Sequence, residues 1–235
     1  DERRPVAQQL IDFAREWSPL MARKPGEIPD PDELSTYYLA TAEFPSGFMT
    51  QYGPSPIVGG DAARDLASGF PIGKRFHSVE VVRVCDGNAV HLGHHAKADG
   101  RWRIYAFADA GGSALRSWAV AARRIVEQFT PDGADLDAVF DAKVVYPGRW
   151  EDVADVPALF RPRSGPLGLT DHEKVFAAAP SAWTSADIFA ERGIGADGAV
   201  VLVRPDQYVA HVLPLSEPEA LERFLAGAMR SPVTA

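Results

Sequence analysis

The chain has 235 residues, of which 46% are hydrophobic and 24% charged, with a formal net charge of −8. That balance fits a globular protein with a sizeable core, and it argues against a nucleic-acid or anionic-membrane surface, because phosphate contacts need clustered Lys and Arg and here they are scattered. The single cysteine, Cys85, excludes an internal disulfide and fits a reducing cytoplasm. No apolar run reaches membrane-spanning length, and the N-terminus does not resemble a signal peptide.

Val6, Leu10, Phe13, Ala14, Trp17 and Met21 recur at helical spacing, so residues 2–22 are predicted to form a helix. The stripe begins almost at once and lacks a capping start beyond Pro5. Two readings of this start are open, a trimmed tag or unusual natural start and the C-terminal part of a larger polypeptide; in either case the apolar face is expected to be poorly covered by its own chain and to pack on a partner, such as a second copy. Lys24–Asp30 is turn-rich. Asp30-Pro31-Asp32-Glu33 reads as the cap of a second helix with Leu34, Tyr37 and Tyr38 on its stripe. Phe44–Gly69 holds too much Pro and Gly for regular structure and is assigned as a linker lying against a neighbour, so residues 1–69 form a helical tail plus linker and residues 70–235 a separate domain.

Within the second part, His77–Cys85 and Ala89–Leu92 are predicted strands joined by a turn at Asp86-Gly87-Asn88. Arg101–Ala108 is a further strand. Gly111-Gly112-Ser113 ends it, and Ser113 is placed as the cap of a helix with Leu115, Trp118, Ala119, Ala122, Val126 and Phe129 on its buried face. Leu136–Tyr146 completes a parallel, right-handed β-α-β crossover. Residues 147–192 are an irregular insertion with short helices at Thr170–Ala178 and Ser185–Arg192. The apolar runs Ala199–Val203 and Tyr208–Leu213 then form a hairpin about a turn in which Pro205 takes the second position and Asp206 supports it. Ser216-Glu217-Pro218-Glu219 reads as a capping box opening a last helix with Leu221, Phe224, Leu225, Ala228 and Met229 on its apolar face. The order β-hairpin, β-α-β, insertion, ββ-α predicts an α/β, thioredoxin-like fold; the leading hairpin is also the peroxiredoxin arrangement.

The chemistry such a fold offers is not written in the residues. A thioredoxin-like redox site needs a thiolate at the N-terminus of the first core helix, and Phe107–Leu115 contains no cysteine. Cys85 is expected in a strand as an ordinary buried thiol. Gly193-Ile194-Gly195-Ala196-Asp197-Gly198 matches GxGxxG, but it follows a predicted helix and precedes a strand, the reverse of a dinucleotide site, so Gly193 is read as a helix C-cap. His91, His94 and His95, with His77 nearby, form the histidine cluster. His91 and His95 share strand parity, yet no carboxylate or cysteine set accompanies them, and solvated surface histidines are the reading. Ser113, Asp109 and a histidine can be drawn as a triad, but their spacing gives that no support and no G-x-S-x-G elbow is present. Arg204 and Asp206 bracket the hairpin turn and are read as turn chemistry.

Three stretches carry a resemblance. Val203-Arg204-Pro205-Asp206-Gln207-Tyr208-Val209-Ala210-His211-Val212 resembles the C-terminal signature of the flavin-dependent phenol hydroxylase (phenol 2-monooxygenase / 3-hydroxybenzoate 4-monooxygenase) family. Arg4–Phe13 resembles the end of the long helix after that family's flavin domain, and Phe70–His77 with Val90–His94 resembles the entry to its third domain. The resemblance implies a parent flavoprotein using FAD, NADPH and O₂ to hydroxylate phenolic rings. It implies that this chain is the tail of the substrate domain plus a redox-silent third domain associated with dimer contacts and stability. The flavin and substrate domains would lie upstream, so no catalytic, cofactor-binding or metal residue is carried over. An autonomous thioredoxin- or peroxiredoxin-like enzyme and a stand-alone interaction module are the alternatives.

Overall fold

The computed structural model describes residues 2–23, 32–44, 47–178 and 186–229. It divides into two compact units, one ending at Gly53 and one beginning at Pro54.

In the first unit, α1 (Arg3–Ala22) and α2 (Glu33–Thr41) are joined by aromatic contacts. Trp17 sits between Phe13, Tyr37 and Tyr38, with ring centroids 6.1, 5.6 and 6.1 Å away, and Phe13 meets Phe44 at 5.0 Å. No residue of α1 is buried, and Leu10, Ile11 and Met21 are exposed. Of the predicted α2 cap, Asp30 and Pro31 lie outside the described residues. Asp32 occupies the N-cap position without a side-chain bond to the helix.

The second unit is a seven-stranded mixed sheet. Its strands are β1 (Glu80–Arg83), β2 (Ala89–His91), β3 (Trp102–Phe107), β4 (Phe140–Tyr146), β7 (Val175–Ala177), β8 (Ala199–Val203) and β9 (Val209–Leu213), in the order β2-β1-β7-β4-β3-β8-β9. The small β5 (Arg163–Ser164) and β6 (Leu169–Thr170) form a separate hairpin. Strands β3 and β4 run parallel, joined through α3 (Ser113–Gln128); β8 is antiparallel to β3, β9 antiparallel to β8, and α5 (Pro218–Ala228) closes the domain. This order and these connections are those of a thioredoxin-like core, extended at one side by the β1–β2 hairpin and β7.

The two faces of the sheet differ in chemistry. Trp102, Ile104 and Ala106 of β3 and Phe140, Ala142 and Val144 of β4 point to one side. There they join Leu115, Trp118, Ala119, Ala122 and Val126 of α3 and Leu221 and Leu225 of α5 in one core. Strand alternation sends Arg103, Tyr105, Phe107, Asp141, Lys143 and Val145 to the other side. That side is covered by Phe70, Phe76 and Phe189. Phe76 stacks on Tyr105 at 4.5 Å and on Phe70 at 4.8 Å, and Phe107 meets Phe70 and Phe189 at 5.7 Å each.

Residues 54–69, assigned to the linker on sequence, pack into this unit. Val58 and Ala67 are buried, Ala67 bridges Ile194, and Gly59 N–H donates to Ala210 O. That carbonyl is free because Ala210 is the extra residue of a β-bulge in β9. Gly59 passes so close that a Cβ there would sit 2.4 Å from the His211 ring. Further along the same edge, Gly73 and Phe76 donate to Val209 O and Gln207 O, so the outer strand is paired and not left open.

Several expectations are corrected. Val175–Ala177, predicted within a helix, is the interior strand β7, parallel to β4 and antiparallel to β1. The helix predicted at Ser185–Arg192 is a single turn, α4 (Ile188–Glu191), and Ser185 lies outside the described residues. Strand β1 starts at Glu80 and not His77, and β4 at Phe140 and not Leu136. The last helix starts one residue later than a capping box requires: Pro218, which has no N–H to donate, takes its first position, and Ser216 stays in the preceding turn.

Candidate functional site

The place where a thioredoxin-like fold keeps its chemistry is the junction of β3 with α3. Gly112 takes a left-handed conformation, φ 67°, directly before the helix. Ser113 does not cap; it is the first helical residue, and its carbonyl accepts from the Ser117 hydroxyl. Asp109 caps instead, its Oδ1 accepting from Leu115 N at 2.9 Å. Partial burial works to raise the Asp109 pKa, but the backbone N–H groups of Leu115, Ala114 and Ser113 outweigh it and hold the carboxyl below its ordinary range. A fixed carboxylate thus occupies the positive end of α3, where a thiolate would be activated.

The glycine motif closes over the same loop. It follows α4 and precedes β8, and Gly193 (φ 62°) ends the helix. Gly198 lies at φ 68°, where a Cβ would meet Phe107 O at 2.4 Å, and Ala110 N–H donates to Ala196 O at 2.8 Å. The close approach a dinucleotide fingerprint reserves for a pyrophosphate is taken here by the protein's own backbone. The other strand-to-helix turn, Gly111-Gly112, faces the Asp109 carboxylate, which opposes a phosphate. Neither turn fits a flavin or nicotinamide dinucleotide. Beside the loop is a cavity of about 310 Å³ walled mainly by small apolar groups such as Ala108, Ala110, Pro147 and Ala196; its one acidic side chain, Asp187, is engaged as the cap of α4.

The other candidates are separated by the fold. Cys85 is exposed in the turn after β1, not buried in a strand, and burial of its sulfur together with Asp86 raises its pKa. Leu92–His95 forms a 3₁₀ turn that breaks the strand parity expected of His91 and His95. His91 and His94 lie together with ring centroids 5.0 Å apart, while His95 turns edge-on to Phe176. Burial lowers the His95 pKa, with Arg83 and Lys143 acting in the same direction. Among the described residues no three His, Cys, Asp or Glu side chains converge as a metal site. Arg204 and Asp206 form a two-pronged ion pair at 3.0 and 2.6 Å across the β8–β9 turn, in which Gln207 N–H donates to Arg204 O and Gln207 takes φ 70°.

The polar feature that periodicity misses is a buried ionic network on the second sheet face. Arg103 and Asp141 are partners in the β3–β4 register, and both are nearly fully buried. Asp141 accepts from Lys143 and, at 2.7 Å, from Lys174; Arg103 Nε lies 3.3 Å from its Oδ2. Arg103 also donates to Asp99 at 2.7 Å, and Arg101 bridges Asp99 and Asp137. Lys174 reaches Asp137 at 3.1 Å and Asp171 at 3.4 Å. Four cations thus meet four carboxylates. Burial alone would raise Asp141, but Lys143 and Lys174 hold it at about 2; burial pushes Lys143 down to about 8 despite Asp141. A network of this kind, with cations and carboxylates in equal number, fixes strand register, and its one unmatched buried donor among the described residues is Arg103 Nε, which lies 3.3 Å from Asp141 without a hydrogen bond. Its signal in the sequence is the charged residues inside two apolar strands, Arg103 and Asp141 with Lys143.

Unpaired apolar surface is concentrated elsewhere in the second unit. Among its described residues the exposed large apolar side chains are Val120 on α3 and Leu167 and Leu169 on the β5–β6 hairpin. No helix among the described residues is long and apolar enough to cross a membrane.

Comparison with known proteins agrees with a domain built for contact. Residues 50–233 match the family described as "Phenol hydroxylase, C-terminal dimerisation domain". The chain is 44% identical to 3-hydroxybenzoate 4-monooxygenase of Comamonas testosteroni over 98% of its own length and 38% of that protein. It is 30% identical to a phenol 2-monooxygenase of Aspergillus fumigatus, covering 99% of this chain and 40% of that one, so it spans about two fifths of the curated relatives it matches. Among solved structures it superposes on aklavinone-11 hydroxylase bound to FAD and aklavinone (21% identity, 76% of this chain, 26% of that one, TM-score 0.41). A thioredoxin domain of a Bacteroides vulgatus thiol-disulfide oxidoreductase gives 15% identity, coverage of 65% and 96%, and TM-score 0.42. The match across residues 50–233, which takes in the whole seven-stranded sheet, places this chain in the phenol hydroxylase C-terminal dimerisation domain family.

Proposed function

We propose that the chain is the C-terminal part of an FAD-dependent aromatic monooxygenase, and that residues 54–229 serve there as a redox-silent dimerisation domain. The observation that carries this reading is the 44% identity to a hydroxybenzoate monooxygenase across 98% of the chain. The parent enzyme would bind FAD and NADPH in domains upstream and hydroxylate a phenolic ring with O₂ in the cytoplasm. The first unit would be the tail of the substrate domain. Its exposed Leu10, Ile11 and Met21 are suited to being covered by those domains or by a second copy.

No residue of this chain is assigned a catalytic, cofactor or metal role. The reading is supported by Asp109 at the helix terminus and by the backbone packed against Gly198, both of which count against the chemistry the two turns would otherwise offer. The chain's part in the reaction is mechanical: it holds two copies together and stabilises the domains it is fused to.

The test is a titration of the purified chain with FAD, followed by NADPH oxidation assays with added phenols. The expected result is a colourless protein with no saturable flavin binding and no NADPH consumption above buffer. Micromolar FAD binding would show that the cofactor site has been misplaced.

A further inference from the structure

The exposed large apolar side chains described in the second unit lie on two features, the β5–β6 hairpin and the outer side of α3. The first is the β5–β6 hairpin. Gly165 and Gly168 close its turn, with Gly168 N–H donating to Gly165 O at 2.9 Å and Pro166 between them. The hairpin is fastened at its base to the loop before β4: Ser164 Oγ donates to Asp137 Oδ1 at 2.8 Å and Gly165 N–H to Asp135 Oδ2 at 2.7 Å. A pair of two-residue strands has little stability of its own, so these carboxylates are what hold it in place. Yet the side chains so mounted, Leu167 and Leu169, are 81% and 66% exposed. Ordering a loop to display leucine to water costs entropy and gains nothing within the chain.

The second is a groove of about 390 Å³ along the outer side of α3, with Val120, 61% exposed, among its lining residues. One wall is the 3₁₀ turn Ala158–Phe160, and the chain runs from that turn directly into the hairpin. Arg116 and Arg124 rim the groove together with Asp155, so both signs of charge are present side by side. A surface holding a projecting apolar pair, an apolar hollow and charges of both signs has what a two-fold contact requires, because the same patch must complement itself.

Resting on the reading of this domain as a dimerisation domain, we infer that the β5–β6 hairpin and the adjoining α3 groove around Val120 are the surface that binds a second copy of this chain. Leu167 and Leu169 are the anchors that leave water, and the guanidinium and carboxylate groups form the polar rim.

The experiment is sedimentation equilibrium on the 235-residue chain and on three variants: Leu167→Asp/Leu169→Asp, Val120→Asp, and Leu10→Asp in α1 as a control surface. The wild type and Leu10→Asp should be dimers. The hairpin and groove variants should dissociate about 30-fold or more easily, with far-ultraviolet circular dichroism unchanged at 25 °C. In a Cys85→Ser background, Leu167→Cys should be joined to its copy by a short bis-maleimide, which gives a reading even where an aspartate variant folds poorly. If the wild type dimerises but the hairpin and groove variants stay dimeric and Leu167→Cys does not cross-link, this surface is wrong and the dimerisation reading stands. If the wild type is a monomer, the dimerisation reading itself fails and this surface fails with it.

Discussion

A buried carboxylate among three buried cations is the residue on which the second sheet face depends. Removing Asp141 as Asn leaves Arg103, Lys143 and Lys174 facing one another without water, and should cost about 3–5 kcal/mol in urea unfolding. Lys143→Met should differ from wild type by less than about 1 kcal/mol or gain stability, since burial already disfavours that charge and Lys174 and Arg103 still satisfy Asp141. The pH dependence has a definite sign. The Asp141 carboxyl is held at about 2 in the fold against 3.8 in the open chain, so its contribution, about 2 kcal/mol, is complete above pH 4 and lost as pH falls through 2. Acid unfolding of Asp141→Asn should lack that component. At the β3–α3 junction, Asp109→Ala should cost about 0.5–2 kcal/mol and Ser113→Ala almost nothing. The reverse ranking would restore Ser113 as the cap. Gly198→Ala combines a left-handed φ with an overlap against Phe107 O and should cost more than about 2 kcal/mol by thermal melting.

At the scale of elements, what was readable depended on how much of an element's pattern is local. Helix α3 was legible in most of its buried face, because Leu115, Trp118, Ala119, Ala122 and Val126 repeat at helical spacing; Ile125, also buried, was missed, and Phe129 is the residue that ends the helix. The β8–β9 hairpin was legible from two β-branched runs about Pro205. Strand β7 was not: three residues, Val175, Phe176 and Ala177, follow the acidic Asp171-His172-Glu173, a pattern that equally opens a helix. Only pairing with β4 on one side and β1 on the other makes it a strand. Phe176→Ala should therefore behave as a core truncation, losing about 3–5 kcal/mol. A surface-helix residue would lose under about 1 kcal/mol. Of the site, the missing thiol was plain from Phe107–Leu115, and the reversed order of the GxGxxG motif, helix before and strand after, was plain from its neighbours. Asp109 as cap was not, because the left-handed Gly112 lets the helix start at Ser113, one residue earlier than a Ser113 cap would give, and Asp109 then accepts from the N–H of Leu115. The ionic network was only partly signalled, by Arg103, Asp141 and Lys143 inside apolar strands: Lys174 is remote in sequence from Asp141, and only the sheet brings the two together.

For the whole molecule, the two sides of the sheet divide the work. One side is a conventional apolar core under α3 and α5. The other exchanges part of its apolar content for a closed set of ion pairs that fix the register of β3, β4 and β7. A thioredoxin-like frame so arranged has a carboxylate at the position of its reactive group and keeps its unpaired apolar surface on the hairpin and the outer side of α3, which suits assembly and not redox exchange. The most direct test is sedimentation equilibrium of the purified chain in the presence of FAD, recorded at the protein band and at the flavin's visible band. The account predicts a species of twice 25.4 kDa with no flavin travelling with it. A 25.4 kDa monomer at every concentration, or visible absorbance sedimenting with the protein, would contradict it.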